Sequence, residues 1–191
     1  MRTAVVIPVK SFAVAKGRLA GALTDEERGT LARTCAEGVV AAATGMPVFV
    51  VCGDDSITQW AAGVGATPVA QVSAGLNGAV RDGLVAAASA GFDHVLIAHA
   101  DLPLATTFAH VPQDGELVLV PDRHNDGTNV MCLPVSVPFE LHYGTASFTA
   151  HLEEAVMRGI PHRVLHDDNL SLDLDTVEDL QELHRRKDQT R

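Results

Sequence analysis

The run Thr3-Ala4-Val5-Val6-Ile7-Pro8-Val9 constrains the fold more than any other stretch. An unbroken apolar segment of strand length, rather than an alternating one, is what a strand needs when both its faces are covered. Helices on both sides of a parallel sheet supply that cover. The same signature returns at Pro47–Cys52 and His94–Ala98, with a weaker copy at Thr67-Pro68-Val69, where the proline argues for a sheet margin. Helical stretches separate these runs. Thr24 with Glu27 three residues on forms a capping box for a helix to about Ala43. Asp54 or Asp55 opens a shorter helix ending near Gly63 or Gly65, and a small-residue helix runs from Ala74-Gly75 to about Ser89. Strand alternating with helix predicts an α/β fold with a mostly parallel, doubly wound sheet, and residues 1–191 read as one domain.

Further along, Glu116–Pro121 and Thr128–Leu133 flank the polar stretch Asp122-Arg123-His124-Asn125-Asp126-Gly127. Asn-Asp-Gly between apolar runs is a hairpin signal, so antiparallel pairing is expected at one edge of the sheet. An amphipathic helix from Ser147 to about Arg158, a short strand at His162–His166 and a final helix from Thr176 to about Lys187 follow, with a charged tail expected to fray. Leu170-Ser171-Leu172-Asp173-Leu174-Asp175-Thr176 alternates with period two, the pattern of a half-buried strand.

Composition narrows the function. A formal charge of −10 excludes a nucleic-acid surface or an anionic-membrane surface, so any phosphate must be met by a few placed cations or by metal. No apolar run reaches membrane-spanning length, and no secretory leader is evident at the N-terminus. Cys35, Cys52 and Cys132 are far apart without C-x-x-C spacing, which points to a reducing cytoplasm rather than to disulfides or zinc. The nine histidines show no metal-ligand cluster.

Candidate chemistry gathers where open α/β sheets bind ligands, past the carboxyl ends of strands. Lys10, Lys16 and Arg18 follow the first strand, either as solvated charge or as phosphate contacts; the loop is neither a Walker A nor a dinucleotide turn. Gly75 can be a simple turn and Asn77 a cap, or the pair with Leu76 can let backbone and amide approach a flat ligand. Asp101 lies just beyond the His94–Ala98 strand. Asp173 and Asp175 share a strand face and would repel each other without a cation; the alternative is that one of them caps the helix that follows. Asp101, Asp173 and Asp175 together suit a hard cation such as Mg²⁺. Thr128 starts the returning strand of the hairpin, where it can line a site or close the turn. Gly144 before Ser147 leaves free N–H groups at a helix start, an anion site unless Ser147 is only a cap. A Ser147/His151 nucleophile pair is discounted, because neither G-x-S-x-G nor an orienting acid accompanies it. Phosphoryl-type transfer is the leading class.

As an ordered set, Pro8-Val9-Lys10, Ala15-Lys16-Gly17-Arg18-Leu19, Gly75-Leu76-Asn77, Ala100-Asp101-Leu102-Pro103, Gly127-Thr128-Asn129, Tyr143-Gly144-Thr145-Ala146-Ser147-Phe148 and Asp173-Leu174-Asp175-Thr176 resemble the 2-phospho-L-lactate / phosphoenolpyruvate guanylyltransferases of deazaflavin coenzyme F-420 biosynthesis. The likeness spans nearly the whole chain. Departures are Gly17 where Ser or Thr is common, Ala146 where a second Gly is frequent, and Val177 where Pro often follows Asp-Thr. The resemblance implies a nucleotidyltransferase with the fold of the nucleotide-diphospho-sugar transferases (GT-A-like). It further implies GTP on Lys10, Lys16, Arg18 and the Gly75–Leu76–Asn77 turn, with one or two Mg²⁺ on Asp101, Asp173 and Asp175. Thr128, Gly144 and Ser147 would hold a small phosphorylated three-carbon acid, phosphoenolpyruvate favoured over 2-phospho-L-lactate. GMP would pass to its phosphate, pyrophosphate would leave, and the product would go to the next enzyme of that pathway. The rivals are a molybdopterin- or CTP-type nucleotidyltransferase, a GT-A glycosyltransferase and a non-catalytic nucleotide-binding module.

Overall fold

A computed structural model describes residues 1–189. In chain order its main elements are β1 (Thr3–Val9), α1 (Asp25–Ala42), β2 (Val48–Cys52), α2 (Asp55–Gly63), β3 (Thr67–Ala70), α3 (Gly75–Ser89), β4 (His94–Ala98), β5 (Leu117–Pro121), β6 (Thr128–Pro134), α4 (Ser147–Met157), β7 (His162–Val164) and α5 (Val177–Gln189). The charged tail expected to fray falls partly on residues 190 and 191, outside the described residues.

All the strands join one sheet, in the order β3-β2-β1-β4-β6-β5-β7. β1 pairs in parallel with β2 on one side and with β4 on the other. The chain leaves β1 in one direction, through β2 and β3, and returns across it to β4. That reversal opens a crevice at the carboxyl ends of β1 and β4, the switch point of a doubly wound sheet. β6 alone runs against its neighbours, antiparallel to both β4 and β5. The hairpin thus lies one strand in from the margin, because β7 pairs in parallel along the outer side of β5. Its loop is held by the Asp122 carboxylate, which accepts from the N–H groups of His124, Asp126 and Gly127 at 2.8, 3.0 and 2.8 Å.

Both faces of β1 are buried, as an unbroken apolar run requires. Val5, Ile7 and Val9 pack with Ala36 and Val39 of α1 and Ile57 and Trp60 of α2, whereas Ala4 and Val6 pack with Ala79, Val80 and Ala87 of α3. Each such Val or Ile side chain contributes about 1.5–3 kcal/mol by leaving water, and the alanines less, which is how an aromatic-poor chain builds its core. Two glycines set how closely the layers approach. A Cβ on Gly83 of α3 would meet Val6 Cγ1 at 2.4 Å, and one on Gly53 would meet the Lys10 carbonyl at 2.3 Å. The second contact fixes the course of the chain as it leaves β1 for the cationic loop.

The capping box forms as read: Glu27 N–H donates to Thr24 Oγ1 at 3.3 Å and Thr24 N–H to Glu27 Oε2 at 2.8 Å. One expectation is corrected. The stretch 170–176 keeps the predicted alternation of burial, with Leu170, Leu172 and Leu174 in the core, but it joins no ladder. Its backbone bonds run crosswise: the Leu170 carbonyl accepts from Asn129 Nδ2 at 3.0 Å, the Ser171 carbonyl from Arg123 N–H at 2.8 Å, and Leu174 N–H donates to the Asp101 carbonyl at 3.1 Å. Leu172 and Leu174 pack against Cys35 of α1 and Leu183 of α5. The period reported which side faces the core, not which groups bond.

Candidate active site

Past the end of β1 the chain turns at Lys16, which adopts a left-handed backbone conformation (φ 57°) just before a short 3₁₀ turn, Gly17–Leu19. A non-glycine residue there costs of order 1 kcal/mol. The conformation turns the ammonium inward: Lys16 Nζ lies 2.6 Å from Asp101 Oδ2 and 3.3 Å from Asp175 Oδ1, with its side chain 6% exposed. Burial by itself would lower the Lys16 pKa, but the two carboxylates outweigh it and hold the ammonium above its ordinary value. Asp101 answers in the opposite direction. Burial would raise its pKa, and Lys16, with His99 behind it, holds it below the usual carboxylate range. Asp173 has no such partner: burial first, and the charges of Asp101 and Asp175 with it, push its carboxyl up to about 6.

Neither Asp173 nor Asp175 caps the helix that follows. Thr176 does so, its Oγ1 accepting from Asp179 N–H at 3.3 Å, and the Asp179 carboxylate, anchored to Arg123 at 2.7 Å, accepts in return from the N–H of Thr176 at 2.8 Å and of Asp175 at 3.1 Å. The D-x-D carboxylates are thereby left for the cluster. Its arrangement is like charges gathered around one cation, with Asp101 Oδ1 buried and without a hydrogen-bond partner among the described residues. Nor, among those residues, are three His, Cys, Asp or Glu side chains already drawn together as a ligand set, since Lys16 fills the middle.

A cavity of about 290 Å³ opens over this cluster at the switch point, walled by Pro8–Phe12, Lys16, Leu76, His99, Asp101 and Asp175. Of the three loop cations, Lys16 is inside the cluster, Lys10 lines the cavity, and Arg18 stands 77% exposed with NH1 3.9 Å from Asp175. A wider groove of about 690 Å³ runs between residues 103–106 and the end of α5, but none of the cluster carboxylates lines it.

At the α3 end of the cavity, Gly75 has φ +74°, so the turn reading holds for its backbone. Asn77 is not a plain cap. Its amide grips the backbone of Tyr143 twice, Nδ2 donating to the carbonyl at 3.0 Å and Oδ1 accepting from the N–H at 2.8 Å. The turn and the Tyr143 loop are thereby tied into one wall.

Beyond that loop lies a second, neutral cluster. Thr128 N–H donates to Ser147 Oγ at 3.0 Å, and Thr128 Oγ1 is 3.0 Å from His151 Nδ1. His151 Nε2 accepts from His142 N–H at 2.9 Å, so Nδ1 carries the proton and donates to Thr128. Burial, with His142 and His99 nearby, lowers the His151 pKa to about 4 and keeps the ring neutral. Ser147 and His151 do not bond each other, so the discounted nucleophile pair is absent among these contacts. At the start of α4, Phe148 N–H is taken by the Asp126 carbonyl at 3.0 Å, and Ala146 holds a left-handed conformation (φ 55°). Gly144 is exposed, with open space about its backbone (φ +147°). The structure thus brings Thr128 and Ser147 together, facing inward, and leaves Gly144 at the surface beside them.

Two further residues were given no role in the sequence. His99 lines the cavity and is bonded through its N–H to the Asn129 carbonyl at 3.0 Å; its ring lies 5.4 Å from that of Tyr143. The signal was available for His99, which follows β4 directly at its carboxyl end, two residues before Asp101. Tyr143 entered the sequence reading only as the first residue of the Tyr143–Phe148 stretch, with no role of its own.

With this geometry in hand, the likeness to known proteins is specific. Residues 3–191 match the family model described as "Guanylyl transferase CofC like". The chain belongs to this family. It is 37% identical to a phosphoenolpyruvate guanylyltransferase from Sphaerobacter thermophilus, over 96% of this chain and 93% of that protein. It is 32% identical to a 2-phospho-L-lactate guanylyltransferase from Methanocaldococcus fervens, over 97% and 86% respectively. In fold it is similar to a putative nucleotide-diphospho-sugar transferase from Desulfovibrio desulfuricans (TM-score 0.76, 16% identity, 97% of this chain and 88% of that one). A nucleotidyl transferase from Methanothermobacter thermautotrophicus is similar too (TM-score 0.68, 14% identity, 100% and 99%). The expected GT-A-like nucleotidyltransferase fold is therefore the observed one, and a CofC-like guanylyl transferase is a nucleotidyltransferase enzyme. Among the described residues no helix is long and apolar enough to cross a membrane, and the three cysteines are free and buried.

Proposed function

We propose that this CofC-like guanylyl transferase moves GMP from GTP to the phosphate of a small three-carbon acid, with release of pyrophosphate. Phosphoenolpyruvate is the favoured acceptor, in line with the name of the 37%-identical relative, and 2-phospho-L-lactate is the alternative. The product would enter coenzyme F-420 biosynthesis in the cytoplasm, where buried, unpaired cysteines persist.

The observation that carries the reading is the Lys16–Asp101–Asp175 cluster in the wall of the switch-point cavity. Lys10, Lys16 and Arg18 would face the triphosphate, and Gly75, Leu76 and Asn77 would border the nucleoside. Asp101, Asp173 and Asp175 would hold Mg²⁺. The residues fit such an ion: oxygen donors only, a buried Asp101 oxygen lacking a partner, and an excess of negative charge that one lysine does not balance. Mg²⁺ takes only one or two carboxylates alongside water and phosphate oxygens, so a ready-made set of three is not required. When bound, the ion neutralises charge that develops on the phosphates. Thr128, Gly144 and Ser147 would hold the acid: the Ser147 hydroxyl accepts from Thr128 N–H and has its own proton left to donate, and Gly144 has its backbone exposed. An acceptor phosphate oxygen attacks the α-phosphorus while the bond to the bridging oxygen breaks and pyrophosphate departs. That oxygen is already anionic at neutral pH, so no general base is needed, and the protein contributes alignment and positive charge.

The test is pyrophosphate release with GTP and Mg²⁺, one acid at a time, with CTP in parallel. Release that requires a single acid and disappears with CTP is expected. Release with CTP instead, or nucleotide binding without turnover, would replace the reading with one of its rivals.

A further inference from the structure

Lys16 holds oxygens that the function proposed above assigns to a divalent ion. Its ammonium lies 2.6 Å from Asp101 Oδ2 and 3.3 Å from Asp175 Oδ1, and among the described residues it bonds to nothing else. The two carboxylates cannot serve an ammonium and a dication at full strength together, because the oxygens are shared and the two cations repel. We propose that Lys16 is an exchangeable occupant of the metal site: its ammonium withdraws from Asp101 and Asp175 onto the triphosphate as the ion enters. The inference rests on the metal assignment of the proposed function.

Three observations favour exchange over a permanent bridge. The cluster is poorly served by one lysine, since Asp101 Oδ1 is buried without a partner among the described residues and no cation reaches Asp173. A cation of higher charge therefore gains more from these carboxylates than the ammonium does. Lys16 also lines the cavity of about 290 Å³ beside Lys10, so open space adjoins its stem on the side where phosphates would lie. Finally, its backbone is left-handed (φ 57°), a conformation that a lysine holds only while its surroundings compel it. The two ion pairs supply that compulsion, and withdrawal releases it. Metal and nucleotide then reinforce each other through one side chain. The ion frees Lys16 for phosphate, and phosphate keeps Lys16 off the ion's oxygens. By linkage the gain is the same in either order of binding, and an ion alone is held weakly.

Part of the test needs no nucleotide. Electron paramagnetic resonance of free Mn²⁺ measures how much metal the protein takes up. Lys16→Gln should bind Mn²⁺ about ten- to a hundredfold more tightly than the wild type, the span of a typical coupling between ligands. Arg18→Gln removes an equal charge, 3.9 Å from Asp175 but largely exposed, and should change the affinity little. The remaining measurement uses the wild type, so it does not depend on a variant's folding. Brief treatment with acetic anhydride acylates amines in proportion to their freedom, and mass spectrometry compares Lys16 with Lys187, which is exposed and outside the cavity. Mn²⁺ should raise Lys16 acylation several-fold. Adding a GTP analogue with a methylene bridge between the α- and β-phosphorus should lower it again. Unchanged Mn²⁺ affinity in Lys16→Gln, equal tightening in Arg18→Gln, or Lys16 acylation that stays flat at full Mn²⁺ occupancy would each overturn the exchange. Failure of the underlying metal assignment looks different: Asp101→Asn would take up Mn²⁺ as well as the wild type does, and the exchange would fall with it.

Discussion

The carboxylate cluster and the histidine cluster lie on either side of the Tyr143 loop and solve the burial of polar atoms in opposite ways. Around Lys16 the groups keep their charges and balance them imperfectly, so that Asp173 is pushed up to about 6 and an Asp101 oxygen is left unsatisfied. Around His151 the groups are neutral and bonded in series, from Ser147 through Thr128 to the backbone of His142. The first arrangement is poor as a structural device and good as a receptacle for a cation and phosphates. The second is the reverse: it fixes a loop and leaves chiefly the Ser147 hydroxyl proton, with the open Gly144 backbone beside it, to offer a ligand. Function concentrates where satisfaction is incomplete.

That contrast can be broken by substitution. The largest effect is expected from Asp101→Asn, which keeps shape and removes charge. Turnover at saturating Mg²⁺ should fall about a thousandfold, the scale of losing a main electrostatic contact, with little change in Tm. Near-wild-type turnover would show that the cluster is structural after all.

The neutral side should instead respond to acid. His151 has an ordinary pKa near 6.5 when unfolded and about 4 in the fold, facing Thr128, His142, His99, Tyr143 and Glu154. Above pH 6.5 neither state binds the proton and nothing is lost. As pH falls from 6.5 toward 4 only the unfolded chain takes it up, so stability drops by as much as roughly 3 kcal/mol. Urea unfolding across that window should show the loss in the wild type and a flatter profile in His151→Gln. Equal slopes would place the acid sensitivity elsewhere.

The smallest effect belongs to the joint between the two regions. Ala146 pays for a left-handed backbone that glycine adopts freely, so Ala146→Gly should raise stability by about 0.5–1 kcal/mol, less the extra freedom of the unfolded chain. A fall in Tm would mean that the Ala146 methyl has a packing role.

Most of the sheet was legible because its evidence is local. Continuous apolar runs marked the strands covered on both faces, and Thr24 with Glu27 marked the start of α1 to the residue. The antiparallel hairpin was legible from its turn, but its position inside the margin was not, since the short strand β7 carries no signal of which edge it will join. Leu170–Thr176 shows where pattern reading stops. Alternating leucines report alternating environments, and a segment wedged between α1 and α5 provides these without any ladder. Lys16, Asp101 and Asp175 could be nominated singly, yet their convergence depends on a left-handed turn at Lys16 that no neighbouring residue announces. Asn77 was readable as polar at a helix entry; its grip on Tyr143 is a meeting of distant segments, and with it came the unread His99–Tyr143 pair.

The crosswise attachment of residues 170–176 has a consequence for the order of events in folding. The sheet from β1 to β6 can close without this segment, because none of its ladder bonds depends on it. Asp173 and Asp175 arrive only when the leucines between and beside them find their slot, late in the chain and after a long loop has closed. A newly made molecule would therefore acquire its shape before its electrostatics. Until that last stretch settles, Asp101 and Lys16 face each other as a simple ion pair, and the excess negative charge that defines the cluster does not yet exist.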